Sequence, residues 1–250
     1  LNISKSGYED TIIIIQPNES IKVELNKVYY DTHISKVKSK ESSTLNIPQE
    51  VNEIDIVEIV VAENLITNSS NMEGIFVRNT SQISFLPFAG NHLANSGLYV
   101  NNLSFNILAG YSGGVKGFEL GGLLNINRKD VRGVQITNLG NINGGSLYGA
   151  QIGGLFNYNN EQSNGLQIGG LFNASVSGVN GAQIGGILNI SNDTLRGIQY
   201  AGLANIHNGN LFGIQTAGLM NYCKDTMYGI QASGLLNHSG DYLFGIQCAG

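Results

Sequence analysis

The sequence predicts an all-β protein, most of it a β-solenoid-like array of 16-residue repeats that follows a truncated β-sandwich segment. Three observations predict this. Glycine recurs every sixteen residues from Gly117 to Gly245, with no insertion or deletion. Gln stands two places after each of these glycines from Gln135 to Gln247, and Glu119 takes that place in the first copy. Asn stands eight places after the first eight of them, from Asn125 to Asn237; the residue two before it is Leu in seven copies and Ile187 in the other. Helical repeats fit none of this. A helix would lose roughly 1 kcal/mol at each such Gly, and helical repeat units need about 30 residues or more.

The elements follow in chain order. Residues 1–28 read LNISKSGYEDTIIIIQPNESIKVELNKV. A β-branched run at 11–15 and an alternating run at 21–25 flank Pro17, Asn18 and Glu19, a turn composition. These are two or three strands of a small sandwich. The SKxGYxxxxIxI segment and the IxVxL strand after it resemble the C-terminal part of a carboxypeptidase regulatory-like (transthyretin-like) domain. Residues 29–81 are linker and connector strands. Lys36, Lys38, Lys40, Glu41, Ser42 and Ser43 are polar and mixed in charge. Residues 51–62, VNEIDIVEIVVA, set Ile and Val among acids and predict a strand with a solvated face. Residues 82–116 are lead-in strands, QISFLPF at 82–88 and LSFNIL at 103–108. The array fills residues 117–250 and stops mid-phrase, so the sequence reads as a piece of a longer chain.

Each sixteen divides into two unequal octads. Residues 211–226 read LFGIQTAG and then LMNYCKDT, both of the form L-x-[G/N]-apolar. One octad ends in a small-Gly pair such as Ala217-Gly218. The other ends in four polar residues, NGGS at 143–146 or SNDT at 191–194. Both endings are turn chemistry, so the unit is strand, turn, strand, turn. In a solenoid every residue sits over its own copy, and columns of Gln and Asn become hydrogen-bonded ladders. The repeated Gly then marks positive φ at corners or close approach of coils. The alternative is an outer-membrane β-barrel, with Phe212, Ile214, Thr216, Gly218, Met220 and Tyr222 on a lipid face. Barrel neighbours are antiparallel, so no residue would meet its own copy. The solenoid is the first expectation.

The phrase GAQIGGLFN at 149–157 is one copy of GxQxxGLxN. Its repetition over 117–250 resembles the surface repeat-containing proteins of Gram-negative envelopes, and the lead-in at 101–125 is similar to theirs. A regulatory-like domain ahead of such a run resembles modular outer-membrane proteins. The resemblance implies a cell-envelope location, at the outer membrane or cell surface. It implies no defined activity.

Catalytic chemistry has little to stand on. Asp130, Glu161, Asp193, Asp225 and Asp241 fall in the polar turn, where solvation explains them. Calcium-binding repeats need an Asp in every copy, and this column is mixed. His207 and His238 lie in or beside turns and read as surface histidines. Cys223 and Cys248 read as small apolar fillers, and one pair makes no zinc site. The Gln and Asn columns read as buried ladders alongside the Leu column, not as a sugar site. The expectation is therefore a non-enzymatic envelope surface protein, a structural or adhesion scaffold, with no catalytic residue, cofactor or metal. A barrel with a pore or anchoring role is the alternative. Tyr148, Phe212, Tyr228 and Phe244 each precede the first Gly of their copy and are the candidate surface contacts. Expected partners are envelope proteins or glycans, with membrane association. A formal net charge of −5 gives nucleic acid no support.

Overall fold

The computed structural model describes residues 2–3, 11–12, 54–72 and 77–250. The chain divides into two units, residues 1–46 and 47–250. In the first, Asn2–Ile3 pairs antiparallel with Thr11–Ile12. The rest of the expected sandwich end lies outside the described residues, as do the lysines of the linker.

The second unit is a parallel β-solenoid of about nine turns. Most sixteen-residue coils supply one strand to each of two sheets, while Leu188–Ala201 and Ala204–Ala217 each run on as one strand through both. The glutamine sheet takes strands such as Leu147–Gly153 and Ser163–Gly169. The asparagine sheet takes shorter strands such as Phe156–Asn159 and Phe172–Ser175. Pairing is parallel and in register with the next copy: Gln151 faces Gln167, and Asn157 faces Asn173. Antiparallel neighbours would be needed for an outer-membrane barrel, so that alternative is overturned. Asn205 lies between Asn189 and Asn221, as stacked coils require.

The solenoid begins before the strict count does. The first coils pair Val77 with Tyr99, then Val100 with Gly114, and after a bulge Leu103 with Phe118. The offset therefore passes from 22 residues through 14 and 15 before settling at sixteen. The strands expected at 82–88 and 103–108 overlap Val77–Leu86 and Tyr99–Asn106, each of which starts earlier and ends two residues sooner. A 3-10 helix, Leu93–Leu98, fills the long first connection.

Residues 51–62 are not the expected strand. Where described, they form α1 (Asp55–Val60), and α2 (Glu63–Asn71) follows. Val57 lies in α1, Val61 caps its C-terminus and Leu65 lies in α2. They bury themselves on the outer face of the asparagine sheet against Tyr111, Ile126 and Ile142. Packing overrides the modest helix preference of Ile and Val. The Ser69 hydroxyl adds a 3.0 Å hydrogen bond to the Tyr111 hydroxyl.

The repeated Gly has two physical causes at one place. Gly149 has φ +139°. A Cβ there would also lie 2.0 Å from the carbonyl oxygen of Gly133 in the preceding coil. The residue sits inside the strand Leu147–Gly153, not at a corner. It lets adjacent coils close up where any side chain would hold them apart.

Candidate functional site

The interior is built of amide ladders. Gln215 donates to Gln199 Oε1 at 2.7 Å, toward the preceding coil. Asn205 donates the other way, to Asn221 Oδ1 at 2.8 Å, and its second N–H reaches the carbonyl of Thr216 at 2.8 Å. Asn189 donates to Asn205 in turn, at 2.9 Å. These side chains are fully buried. The two ladders run in opposite senses, and each Asn spends its donors and acceptor within the stack. These five side chains present no surface to solvent.

A third interior column changes its letter along the stack, from Asn through Ser to His and Cys. Asn127, Asn143, Asn159, Ser175, Ser191, His207 and Cys223 stand sixteen apart and are all buried. Their changing chemistry hides them in the sequence; fixed spacing alone is the available signal. This column supplies the second partner for the Gln ladder. Gln183 donates to Ser175 Oγ at 3.1 Å and Gln199 to Ser191 Oγ at 2.8 Å. Asn143 and Asn159 each leave Oδ1 without a hydrogen-bond partner, so this column is less self-sufficient than the other two.

His207 is therefore not a surface histidine. Its Nδ1 lies 2.8 Å from Ser191 Oγ and its Nε2 3.0 Å from the carbonyl of Asn210. Burial holds its pKa below the ordinary imidazole value, against smaller opposing contributions from those hydrogen bonds and from Asp225 and Asp193. Neither Ser191 nor His207 has any solvent-accessible surface, so this pair presents no nucleophile. Cys223 is a buried filler, as expected. Its thiol points at the Gly209 carbonyl, 3.3 Å away, and burial pushes its pKa up to about 11. Cys248 is exposed, contrary to expectation.

Glu119 explains its place at the head of the Gln column. It is fully buried and accepts from Gln135 at 2.7 Å, Asn127 at 2.8 Å and Asn106 at 3.0 Å. A carboxylate accepts and does not donate, so it ends a ladder whose members all donate toward it. Asn106 also donates to Asn125 Oδ1 at 2.9 Å and so starts the Asn ladder. Burial raises the Glu119 pKa, while the amides of Gln135, Asn127 and Asn106 work against the rise.

The candidate contacts lie on the outer face of the glutamine sheet. Tyr148, Phe212, Tyr228 and Phe244 are 39–56% exposed. Phe212 stacks on Tyr228 at 4.9 Å between centroids, and Tyr228 on Phe244 at 4.8 Å. These three form one continuous stack, capped by the Arg196 guanidinium 5.4 Å from the Phe212 ring. Tyr148 stands apart, with Asn164 and Asn180 between it and Arg196 in the column. Arg132 lies over its ring at 4.6 Å. The same column thus holds Lys116, Arg132 and Arg196 besides the aromatics.

The Leu column before Asn is not buried as expected. Leu155 is 38% exposed, Leu203 46% and Leu219 44%. The buried column stands two places before Gly instead, with Leu147, Leu195 and Leu211 at 0%. The octads match in sequence, but one Leu begins a strand facing inward and the other sits on the corner after Gly. Even so, the corner amides are paired: Leu155 N–H donates to Leu139 O at 2.8 Å, and Leu219 N–H to Leu203 O at 2.9 Å.

Among the described residues, no group of three or more His, Cys, Asp or Glu is placed to hold a metal ion. Comparison with protein-family models, with curated proteins and with solved structures finds no match.

Proposed function

We propose that this chain is a non-enzymatic scaffold of the cell envelope whose outer columns are its contact surface. One observation carries the scaffold reading: the repeated polar side chains are spent on one another. What varies from copy to copy on the outside is left to meet partners, with the aromatic stack Phe212–Tyr228–Phe244 as the adhesive stripe. The envelope location draws on the resemblance of GAQIGGLFN and its copies to surface repeat proteins. Fractionation of the source cell, followed with an antibody to the array, tests it. The protein is expected in the outer-envelope fraction; recovery with the cytosolic proteins would contradict the proposal.

A further inference from the structure

The outer face of the glutamine sheet is graded from one edge to the other. At the polar-turn edge runs the column of Lys116, Arg132 and Arg196 with its aromatics. Next come two outward columns one and three places after Gly. They include Ile198, Ile214, Ile230 and Ile246, which are 38–62% exposed, and Tyr200, which is 54% exposed. Neither column holds an acid or a base anywhere from Phe118 to Cys248. The far edge is the exposed Leu ridge, among the most regular columns of the whole array. Packing within the chain does not account for a repeated leucine left half in solvent. With strands about 4.8 Å apart and about 3.3 Å per residue, nine coils present a face on the order of 40 by 20 Å. Soluble monomers rarely expose an apolar patch above about 300–600 Å².

Two hollows lie on or beside this face at its N-terminal end. One, of about 470 Å³, is lined by Arg78, Lys116, Lys129 and Arg132, with Asp130 as the acid among them. Asp130 pairs with Arg132 at 3.2 Å, so the lining keeps an excess of positive charge in a chain that is acidic overall. The other, of about 350 Å³, is a shallow apolar groove lined by Phe105, Ile107, Leu120 and Ile136. A cationic hollow at one edge of an apolar sheet, with an apolar groove toward the other edge, matches the chemistry of a phospholipid surface: anionic phosphates over acyl chains.

We propose that the outer face of the glutamine sheet docks on an anionic phospholipid surface, with the Leu ridge and the Ile columns in the acyl layer and Arg78, Lys116 and Arg132 on the phosphates. Lys and Arg beside Tyr and Phe at one rim of an apolar surface is the arrangement that meets a headgroup layer. The paired corner amides let the Leu ridge leave water without stranding a backbone donor. A second copy fits less well. Two identical faces brought together would set the basic column against itself or against the partner's leucines, and either arrangement leaves charge poorly matched. The proposal rests on the scaffold reading only in taking the outer columns as the contact surface. It holds or fails in a purified system, whatever fractionation says of location.

Flotation of the purified chain with vesicles tests it. The chain should float with phosphatidylglycerol vesicles and far less with phosphatidylcholine. Binding should weaken roughly fivefold for each of Arg78→Gln, Lys116→Gln and Arg132→Gln. The native Cys248 thiol shares a column with Tyr200 and Thr216 on this face and is exposed, whereas Cys223 is buried. A polarity-sensitive fluorophore on Cys248 should therefore shift to the blue on adding the same vesicles, with no core residue altered. Absence of both flotation and the shift would overturn the proposal. So would binding of inorganic phosphate without vesicle binding, which would make the hollow a soluble-anion site. A discrete dimer in sedimentation that leaves vesicles untouched would overturn it in favour of a second copy.

Discussion

The inside and the outside of this solenoid follow opposite rules. Inside, the side chains are largely amides and hydroxyls, fully buried, and two of the columns repeat almost residue for residue. Outside, the glutamine sheet shows Ile, Leu, Phe and Tyr to its surroundings, and most of these columns vary. A typical soluble domain puts its apolar residues within. The difference separates two tasks. Interior amides set the register, because an amide can satisfy its neighbour only at the same level of the next coil. The apolar exterior is free of that task. The covered part of the asparagine sheet shows what such a surface does when a partner is at hand: Val57, Val61 and Leu65 close over Tyr111, Ile126 and Ile142.

The largest effect is expected from a charge placed inside. Gln199→Lys sets an ammonium among Gln183, Gln215 and Ser191 with no acid in the ladder at that level. A loss of roughly 3–5 kcal/mol is expected, read as a collapse of the β-sheet circular dichroism signal at room temperature. Tolerance of this substitution would mean that the column is hydrated, and the contrast between inside and outside would break there. Gly213→Ala comes next. Gly213 has φ +150°, and a Cβ would meet the Gly197 carbonyl oxygen at 1.9 Å. About 3 kcal/mol or more should be lost in urea denaturation.

Two buried titrating groups sharpen the comparison, Glu119 at the head of the Gln ladder and His207 further along the stack. Glu119 has a raised pKa in the folded chain. Its contribution to stability is complete below the unfolded carboxyl value and is lost as pH rises through the folded one. His207 has a lowered pKa. Its contribution is present above the unfolded imidazole value and is lost as pH falls through the folded one. Denaturation midpoints across pH should therefore change in opposite ways: Glu119→Gln removes the decline on the alkaline side, and His207→Asn removes the decline on the acidic side. A His207→Asn profile that matches the wild type would show that the imidazole is not shut from water.

Much of this architecture was legible because self-stacking leaves a mark that one sequence can show. Gln135 to Gln247 and Asn125 to Asn237 repeat because each needs its own kind above and below, and such columns favour a solenoid over a barrel. Legibility ended where neighbours differ in kind. His207 follows Ser191 and precedes Cys223 in one column, so no repeated letter flagged its burial. Leu219 and Leu211 look alike in the octad, and only the corner after Gly218 turns one of them outward. Residues 55–71 form helices because of what Tyr111 and Ile126 offer them from far along the chain. The basic hollow was equally hidden. Arg78, Lys116 and Arg132 come from different coils, and no stretch of sequence shows them together.

One paired measurement bears on all of this. Asn205→Ala removes the ladder contacts to Asn189 and Asn221 and the bond to the Thr216 carbonyl. Ile214→Ala trims a side chain that is 38% exposed on the outer face in the same turn of the stack. Urea denaturation should find Asn205→Ala about 3 kcal/mol less stable than wild type, because buried donors and acceptors are left unpaired. Ile214→Ala should cost about 1 kcal/mol or less. Equal losses, or a larger loss at Ile214, would contradict a fold held in register by its interior amides.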